Sequence, residues 1–291
     1  MAEIIRVFPK RTSHTPTDAF AFPRGKDHWS DPPMGMLRPP PADVAEVHIS
    51  CTFTWQIEEA KRLARVWALY YPVVRVGGPA FNSPAEDFVP GRYLRHGHTF
   101  TTRGCNSDCP WCLVPEREGG LRLIEDFCGG NKINDNNLLQ APASHRRAVF
   151  AMLRQQKRAA VFAGGLSASL ITDEIAEELR SLRIEQLFLA ADTESALRPL
   201  ERALKLLAPL GRQKLRCYAL LGFSGESFAK AEARLLRIWE LGAMPFGILY
   251  QPKMLKRIEY GSDWRELQKT WTRPAAMKAH MKEMGVSDAK S

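Results

Sequence analysis

The sequence has no apolar stretch approaching the roughly 20 residues that a helix needs to cross a bilayer. Its first residues, MAEIIRVFPKRTS, lack the apolar core of a secretory signal peptide. No internal repeat is visible. We therefore expect a cytoplasmic protein that does not enter membranes, and its 291 residues suffice for one large domain or two modest ones.

Negative charge is also scarce, since 32 Asp and Glu stand against 41 Lys and Arg, for a net charge of +9. Such a balance attracts polyanions over long range. However, the sequence has no compact basic tract with interleaved aromatic residues, which would be typical of a nucleic-acid-binding segment. A nucleic-acid partner and a solvated basic surface are both compatible with this pattern.

Cysteines are few, but three of the six fall within one short segment, RGCNSDCPWCLV, as Cys105, Cys109 and Cys112. A disulfide framework suits short secreted chains and is not expected here. Thiolates are the usual ligands of iron–sulfur clusters, and a cubane normally takes four, so a CxxxCxxC loop leaves one iron without a protein ligand. A structural zinc site that includes His96 or His98 is the alternative. The position of the loop directly after a predicted strand favours the cluster, because α/β barrels place their chemistry there.

The amino-terminal part divides into a proline-rich segment, residues 1–42, and a strand–helix–strand pattern. The proline-rich segment predicts irregular, extended structure around one short strand at residues 4–8. The pattern that follows predicts one βαβ unit. Its two strands and the helix between them are expected at residues 45–52, 73–76 and 56–70.

From His98 onward, short apolar strands alternate with amphipathic segments. The strands are expected at residues 99–102, 132–134, 159–163, 186–190, 215–222 and 246–250. The helices are expected at residues 144–156, 173–182, 196–207 and 228–241. This order predicts an α/β fold with parallel strands and right-handed crossovers, and six units fit a partial (β/α)6 TIM-like barrel. The expected divisions are residues 1–97, 98–256 and a helical extension at 257–291.

The motifs of residues 99–252, taken in order, resemble the radical S-adenosylmethionine (SAM) superfamily. They are similar above all to the branch whose members carry an N-terminal cobalamin-binding-like domain. The resemblance implies that Cys105, Cys109 and Cys112 bind a 4Fe–4S cluster. It also implies that SAM chelates the remaining iron through its amine and carboxylate, with Trp111 against the adenine.

Further SAM contacts follow from the same resemblance. The segment KINDNNLL places Asp135, Asn136 and Asn137 where the superfamily binds the SAM amino group, although such residues also favour Asx turns without any ligand. In LFLAADTES, Asp192 and Thr193 stand where relatives carry Glu-Ser contacting SAM. A carboxylate there can bond ribose hydroxyls, as in nucleotide-binding folds.

The third predicted strand differs from the motif of the branch, and the sixth is the last strand of the resemblance. AAVFAGGLSASLIT lacks the usual glutamate and has no arginine near Ser167, so Arg216 becomes a candidate for the SAM carboxylate, with a surface salt bridge as the alternative. FGILYQP places Tyr250 at the barrel mouth.

The segment YALLGFSGES matches a glycine-rich turn of the branch, with Ser224 in place of proline. Gly222 and Gly225 would permit backbone approach to the adenine. Glu226 and Ser227 are expected to cap the following helix.

The segment HISCTFTW…VVRVGGP looks like the last βαβ portion of the cobalamin-binding-like domain, with Ser50, Phe53 and the Gly-Gly-Pro in register. The first half of that Rossmann-like domain is expected to be missing or replaced by the proline-rich segment. No Asp-x-His-x-x-Gly signature occurs, so cobalamin is not expected. Cys51 alone cannot supply the second cluster of a radical methylthiotransferase.

The resemblance implies an enzyme of isomerase or transferase type. It would take an electron from flavodoxin or ferredoxin, cleave SAM reductively and use the 5′-deoxyadenosyl radical to abstract hydrogen from a substrate. One candidate substrate is a nucleic-acid base, as in hypermodified phage DNA; the other is a small metabolite or peptide. A non-enzymatic iron–sulfur or nucleic-acid-binding protein is a third alternative. The sequence singles out no catalytic residue.

Overall fold

The computed structural model describes residues 3–21, 31–32, 44–81, 89–252 and 257–285. The fold is mixed α/β with parallel sheets, as the alternating patterns predict. It divides into two compact units, residues 1–98 with 126–128 and residues 99–125 with 129–291. The helical extension from residue 257 thus belongs to the second unit. Within the described ranges, every helix is too short or too polar to span a membrane.

The first unit contains a four-stranded parallel sheet built around its first strand. In chain order its elements are β1 (Glu3–Phe8), β2 (Phe20–Ala21), β3 (Val44–Ser50), α1 (Ile57–Trp67) and β4 (Val74–Gly77). The spatial order is β2-β1-β3-β4, so β1 is paired on both sides. The proline-rich segment therefore supplies two strands of this sheet, one more than predicted.

The core of the first unit explains why α1 forms against the sheet. Ala60, Leu63 and Trp67 recur at helical spacing and are buried. They pack with Val47 and Ile49 of β3 in one apolar cluster. Each large apolar side chain buried in this way contributes about 1.5–3 kcal/mol.

The second unit continues the chain through alternating strands and helices. The elements are β5 (Gly97–Thr99), β6 (Thr102–Arg103), α2 (Val114–Glu118), β7 (Arg122–Leu123), β8 (Gly130–Ile133), α3 (Ala143–Gln155), β9 (Ala160–Leu166), α4 (Asp173–Arg180), β10 (Ile184–Ala190), α5 (Leu197–Leu207), β11 (Leu215–Leu221), α6 (Phe228–Glu240), β12 (Met244–Leu249), α7 (Ser262–Thr270) and α8 (Pro274–Glu283). The strand order is β5-β8-β9-β10-β11-β12, and each neighbouring pair from β8 to β12 is parallel. The short β6 and β7 form a separate antiparallel pair.

Alternate positions of the larger sheet face different surroundings. Leu187, Leu189 and Cys217 are fully buried, as expected for the face that carries helices. On the other face lie aromatic residues, with the rings of Phe188 and Tyr218 stacked 4.5 Å apart. The carboxyl end of this sheet carries the candidate site.

Candidate functional site

The cysteine loop is closed at its base by the β6–β7 pair. Thr102 and Arg103 pair with Leu123 and Arg122. Inside the loop, the backbone N–H of Cys105 donates to the carbonyl of Gly119 (3.1 Å), and that of Cys112 donates to Cys109 (2.9 Å). The three cysteines therefore lie on a backbone that is hydrogen-bonded at both ends.

The three thiols are free, half-buried and near enough to influence one another. The Cys105 sulfur accepts a hydrogen bond from the Ser107 N–H, and the Cys112 sulfur accepts one from the Val114 N–H, both at 3.4 Å. Burial raises the pKa of Cys109, and the charges of Cys112, Asp192 and Cys105 raise it further. A cation held among these sulfurs would relieve that repulsion.

In the described part of the chain, no three His, Cys, Asp or Glu side chains converge on a point that one metal ion could occupy. Three free thiols on one loop, two of them accepting N–H bonds, are donors of the type that iron–sulfur clusters and zinc both take.

Three residues predicted to contact SAM lie close together: Trp111 in the cysteine loop, Asp192 and Tyr250. The Trp111 ring contacts Phe223 edge-on with centroids 5.1 Å apart, and Phe223 contacts Tyr250 in the same way at 4.9 Å. Burial raises the pKa of the Asp192 carboxylate, and a hydrogen bond from the Trp111 indole N–H offsets a small part of that rise. Phe223 lies between the Trp111 and Tyr250 rings and contacts both. The sequence did not single it out, although it lies inside the glycine-rich turn that the sequence did single out.

Asp192 lies just beyond β10, where its carboxylate is largely shielded from water. Its Oδ1 accepts the Leu220 N–H at 3.0 Å. Burial raises its pKa, and the Leu220 N–H and the charge of Arg234 offset part of this rise. The hydroxyl of its neighbour Thr193 shares a hydrogen bond with that of Ser195 (2.9 Å), and the Thr193 carbonyl accepts the Ala196 N–H (3.1 Å).

The predicted segment 135–137 has its side chains bonded to protein groups. Asp135 is buried and accepts bonds from the N–H (2.6 Å) and the hydroxyl of Thr101. Burial raises its pKa, and the Thr101 bonds lower it in part. Asn136 donates to Glu118 at 2.8 Å, and Asn137 accepts the Ser167 N–H at 3.3 Å. These side chains join the cysteine loop to the sheet.

Arg216 is not brought to the other predicted residues. It is the second residue of β11, about 17 Å before the carboxyl end of that strand. Its side chain donates to the carbonyl of Thr272 (3.3 Å) and lies near the rings of Phe188 and Phe246. With 4 % exposure, it is not a surface residue either. Arg216 is therefore buried near the start of β11, whereas the other predicted residues follow the carboxyl ends of the strands.

The glycine-rich turn after β11 has an unusual backbone. Gly222, Ser224 and Gly225 all have positive φ, and Ser224 is the single such non-glycine residue in the described ranges. A proline cannot adopt the φ of +53° at Ser224, so the backbone of this turn excludes proline at that position. A Cβ at Gly222 would lie 2.8 Å from the Tyr260 hydroxyl, so packing requires glycine there.

Gly225 faces open space, since a Cβ there would meet no atom within 4 Å. It borders a cavity of about 350 Å³. The cavity is lined by Phe223, Ser224, Gly225, Glu226, Ser227 and Lys230. Of the two glycines predicted to lie against the adenine, only Gly225 has open space beside it.

Glu226 does not cap the helix, contrary to expectation. Its carboxylate accepts the Gly222 N–H (3.0 Å) and pairs with Arg234 of α6 (2.8 and 2.9 Å). Ser227 does cap α6, since its hydroxyl accepts the Lys230 N–H. Glu226 lies just before α6, and Arg234 lies about two turns into that helix, so the long arginine side chain can reach back to the carboxylate.

Arg234 was missed by the sequence reasoning, although it occupies a core position of α6. It is 4 % exposed and donates to the carbonyls of Ala191 (2.8 Å) and Leu220. Ala191 directly precedes Asp192, and the N–H of Leu220 donates to the Asp192 carboxylate. Arg234 and Glu226 thus fix the turns on which Asp192 and Phe223 lie.

Comparison with known proteins adds no relative, since no family model and no curated protein matches this chain. A fold alone does not define an activity. The function is therefore argued from the chemistry of the site residues.

Proposed function

We propose that this protein is a radical SAM enzyme that holds a 4Fe–4S cluster with Cys105, Cys109 and Cys112. The observation that carries the proposal is a loop after β5, the edge strand of the larger sheet, that bears three free, half-buried thiols within eight residues. Hydrogen bonds to two of the sulfurs, such as those that tune iron–sulfur sites, support it further.

For the fold, we propose the partial (β/α)6 barrel of the radical SAM type. The sequential strand order from β5 to β12 supports this, as does the helix between successive strands from β8 onward. The cysteine loop follows the edge strand β5, and the other site residues follow β10, β11 and β12. Chemistry at the carboxyl ends of parallel strands is the usual arrangement of such folds.

When bound, the cluster would supply an electron from flavodoxin or ferredoxin that breaks a C–S bond of SAM and gives a 5′-deoxyadenosyl radical. Trp111, Phe223 and Tyr250 offer aromatic rings against which the adenine can pack. Asp192 keeps lone pairs beyond its bond to Leu220 and can accept a ribose hydroxyl. The cavity beside Gly225 provides room near these rings.

For the substrate, we propose a nucleic-acid base, from which the radical abstracts hydrogen. The net charge of +9 supports a polyanionic substrate. A small metabolite or peptide is the competing class, and binding measurements with DNA distinguish the two.

Replacement of Cys112 tests the proposed cluster. After anaerobic reconstitution, we expect about four iron and four sulfide per chain in the unchanged protein. Cys112→Ala should lose the visible iron absorption and the formation of 5′-deoxyadenosine from SAM, because a ligand is missing.

Cys128→Ala is the matched control, since that thiol is exposed and donates to the Pro90 carbonyl (3.0 Å) outside the loop. It should keep both the absorption and the SAM cleavage. Stoichiometric zinc, or full iron binding by Cys112→Ala, would contradict the proposed function.

A further inference from the structure

The carboxylate of Glu118, the last residue of α2, ties the two ends of the cysteine loop together. It accepts three hydrogen bonds, from the guanidinium of Arg103 (2.8 Å), the N–H of Gly104 (3.0 Å) and the amide of Asn136 (2.8 Å). The first two donors immediately precede Cys105, whereas Asn136 follows β8. A single side chain thus joins the start of the loop, its end and the neighbouring strand.

The segment after β8 contacts the loop at a second point. The side-chain oxygen of Gln140 accepts the Asn106 N–H (2.8 Å), and its amide donates to the Ser107 hydroxyl (2.9 Å). The Asn106 side chain in turn accepts the Leu121 N–H (2.8 Å). Gln140 therefore fixes the backbone between Cys105 and Cys109.

A third contact lies below the loop, where Asp135 accepts both the N–H and the hydroxyl of Thr101. Asp135 is 1 % exposed, and the Glu118 side chain is 21 % exposed. Carboxylates so shielded require compensating donors, and here the donors come from the loop and its base.

We propose that Glu118, Asn136 and Gln140 are positioning residues, and we name these three the loop brace. The loop brace holds the three cysteines of the loop in an arrangement that is ready to bind a cluster before any cluster is present. The proposal rests on the proposed function for the identity of the bound group. The effect of the loop brace on the three thiols is measurable in the cluster-free protein.

The test uses the full-length, cluster-free protein and a thiol reagent, with labelling of each cysteine followed by peptide mass spectrometry. Glu118→Gln keeps the size of the side chain, but an amide cannot accept on both of its arms. We expect the three loop cysteines to label at least threefold faster, because the loop opens more often. The labelling of Cys128, which lies outside the loop, should not change.

Glu125→Gln is the matched control, because Glu125 is exposed and lies just after β7. It should leave all labelling rates unchanged. Gln140→Ala should speed the labelling of Cys105 more than that of Cys112, because Gln140 bonds the residues that follow Cys105. Melting temperatures measured beside the rates exclude variants in which the whole protein has unfolded.

A second measurement follows iron uptake at limiting iron. Glu118→Gln should bind less than half as much iron as the unchanged protein, with a normal melting temperature. Unchanged labelling and unchanged uptake in folded Glu118→Gln and Gln140→Ala would overturn the loop brace. The proposed function would still stand in that case, provided that Cys112→Ala loses the cluster. If no variant and not even the unchanged protein binds iron, the proposed function is wrong, and the labelling rates alone then test the loop brace.

Discussion

Asp192 is the residue at which the cysteine loop and the sheet influence each other electrostatically. Burial is the main reason why the pKa values of Cys109 in the loop and of Cys217 in β11 are raised, and the charge of Asp192 raises both further. Its own pKa is raised by burial and lowered in part by the Leu220 N–H and by Arg234. A shielded carboxylate with lone pairs to spare is suited to bind a hydroxyl group.

Replacement of this carboxylate separates SAM binding from cluster binding. Asp192→Ala should leave the iron absorption intact and weaken SAM binding by about 1–3 kcal/mol, the cost of an unmade bond to a buried polar group. Titration calorimetry under anaerobic conditions measures the affinity, and the melting temperature reports on folding.

Glu194→Ala is the control for this prediction, because Glu194 is exposed and lies two residues farther along the chain. It should change neither quantity. If Asp192→Ala lowers the melting temperature but binds SAM as the unchanged protein does, then Asp192 only orders the turn after β10.

At the scale of elements, α6 is locked to two turns by one buried ion pair. Arg234→Met removes the partner of Glu226 and the donors to Ala191 and Leu220. Loss of one member of a buried pair costs about 3–5 kcal/mol of unfolding free energy. Urea denaturation should show this loss, and the double variant Arg234→Met, Glu226→Gln should recover part of it, because the unpaired charge is gone.

Arg237→Met provides the comparison on the same helix. Arg237 pairs with Glu201 and Glu240, and all three side chains are at least one-third exposed. Such surface pairs contribute about 0–1 kcal/mol. Equal losses for Arg234→Met and Arg237→Met would show that the buried pair does not stabilise the turns.

Elements were predictable where periodicity encodes them. The strand predicted at residues 215–222 is β11 (Leu215–Leu221), and the helix predicted at 228–241 is α6 (Phe228–Glu240). Partners distant in sequence were not predictable in this way. Arg216 bonds a carbonyl 56 residues away, and Arg234 bonds one 43 residues away.

The candidate site divides in the same manner. Trp111, Asp192 and Tyr250 lie together because each follows a predicted strand or belongs to the cysteine loop, and parallel strands end at one edge. Motifs do not specify what a polar side chain bonds. Asn136 and Glu226 therefore turned out to hold backbone and loop groups of the protein itself.

The whole molecule carries a net charge of +9, from which we predict how its binding to DNA depends on salt. If the substrate is a nucleic-acid base, DNA should bind at low salt, and the affinity should fall steeply toward physiological salt as counterions compete. Fluorescence anisotropy with a labelled oligonucleotide measures this dependence.

The binding should also have a chemical consequence. DNA should stimulate 5′-deoxyadenosine formation by the reconstituted protein, whereas a polyanion without bases, such as heparin, should compete for binding without stimulating. Absence of DNA binding at low salt would favour the small metabolite or peptide as substrate.

The strand orders of the two sheets bear on how the chain folds as it is synthesised. In the order β2-β1-β3-β4, the first strand is an inner one, and every later strand joins at an outer position. In the order β5-β8-β9-β10-β11-β12, each new strand again joins at the growing edge. Neither sheet requires a late strand to insert between two that are already paired. Both can therefore grow strand by strand as the chain leaves the ribosome, at about 5–20 residues per second.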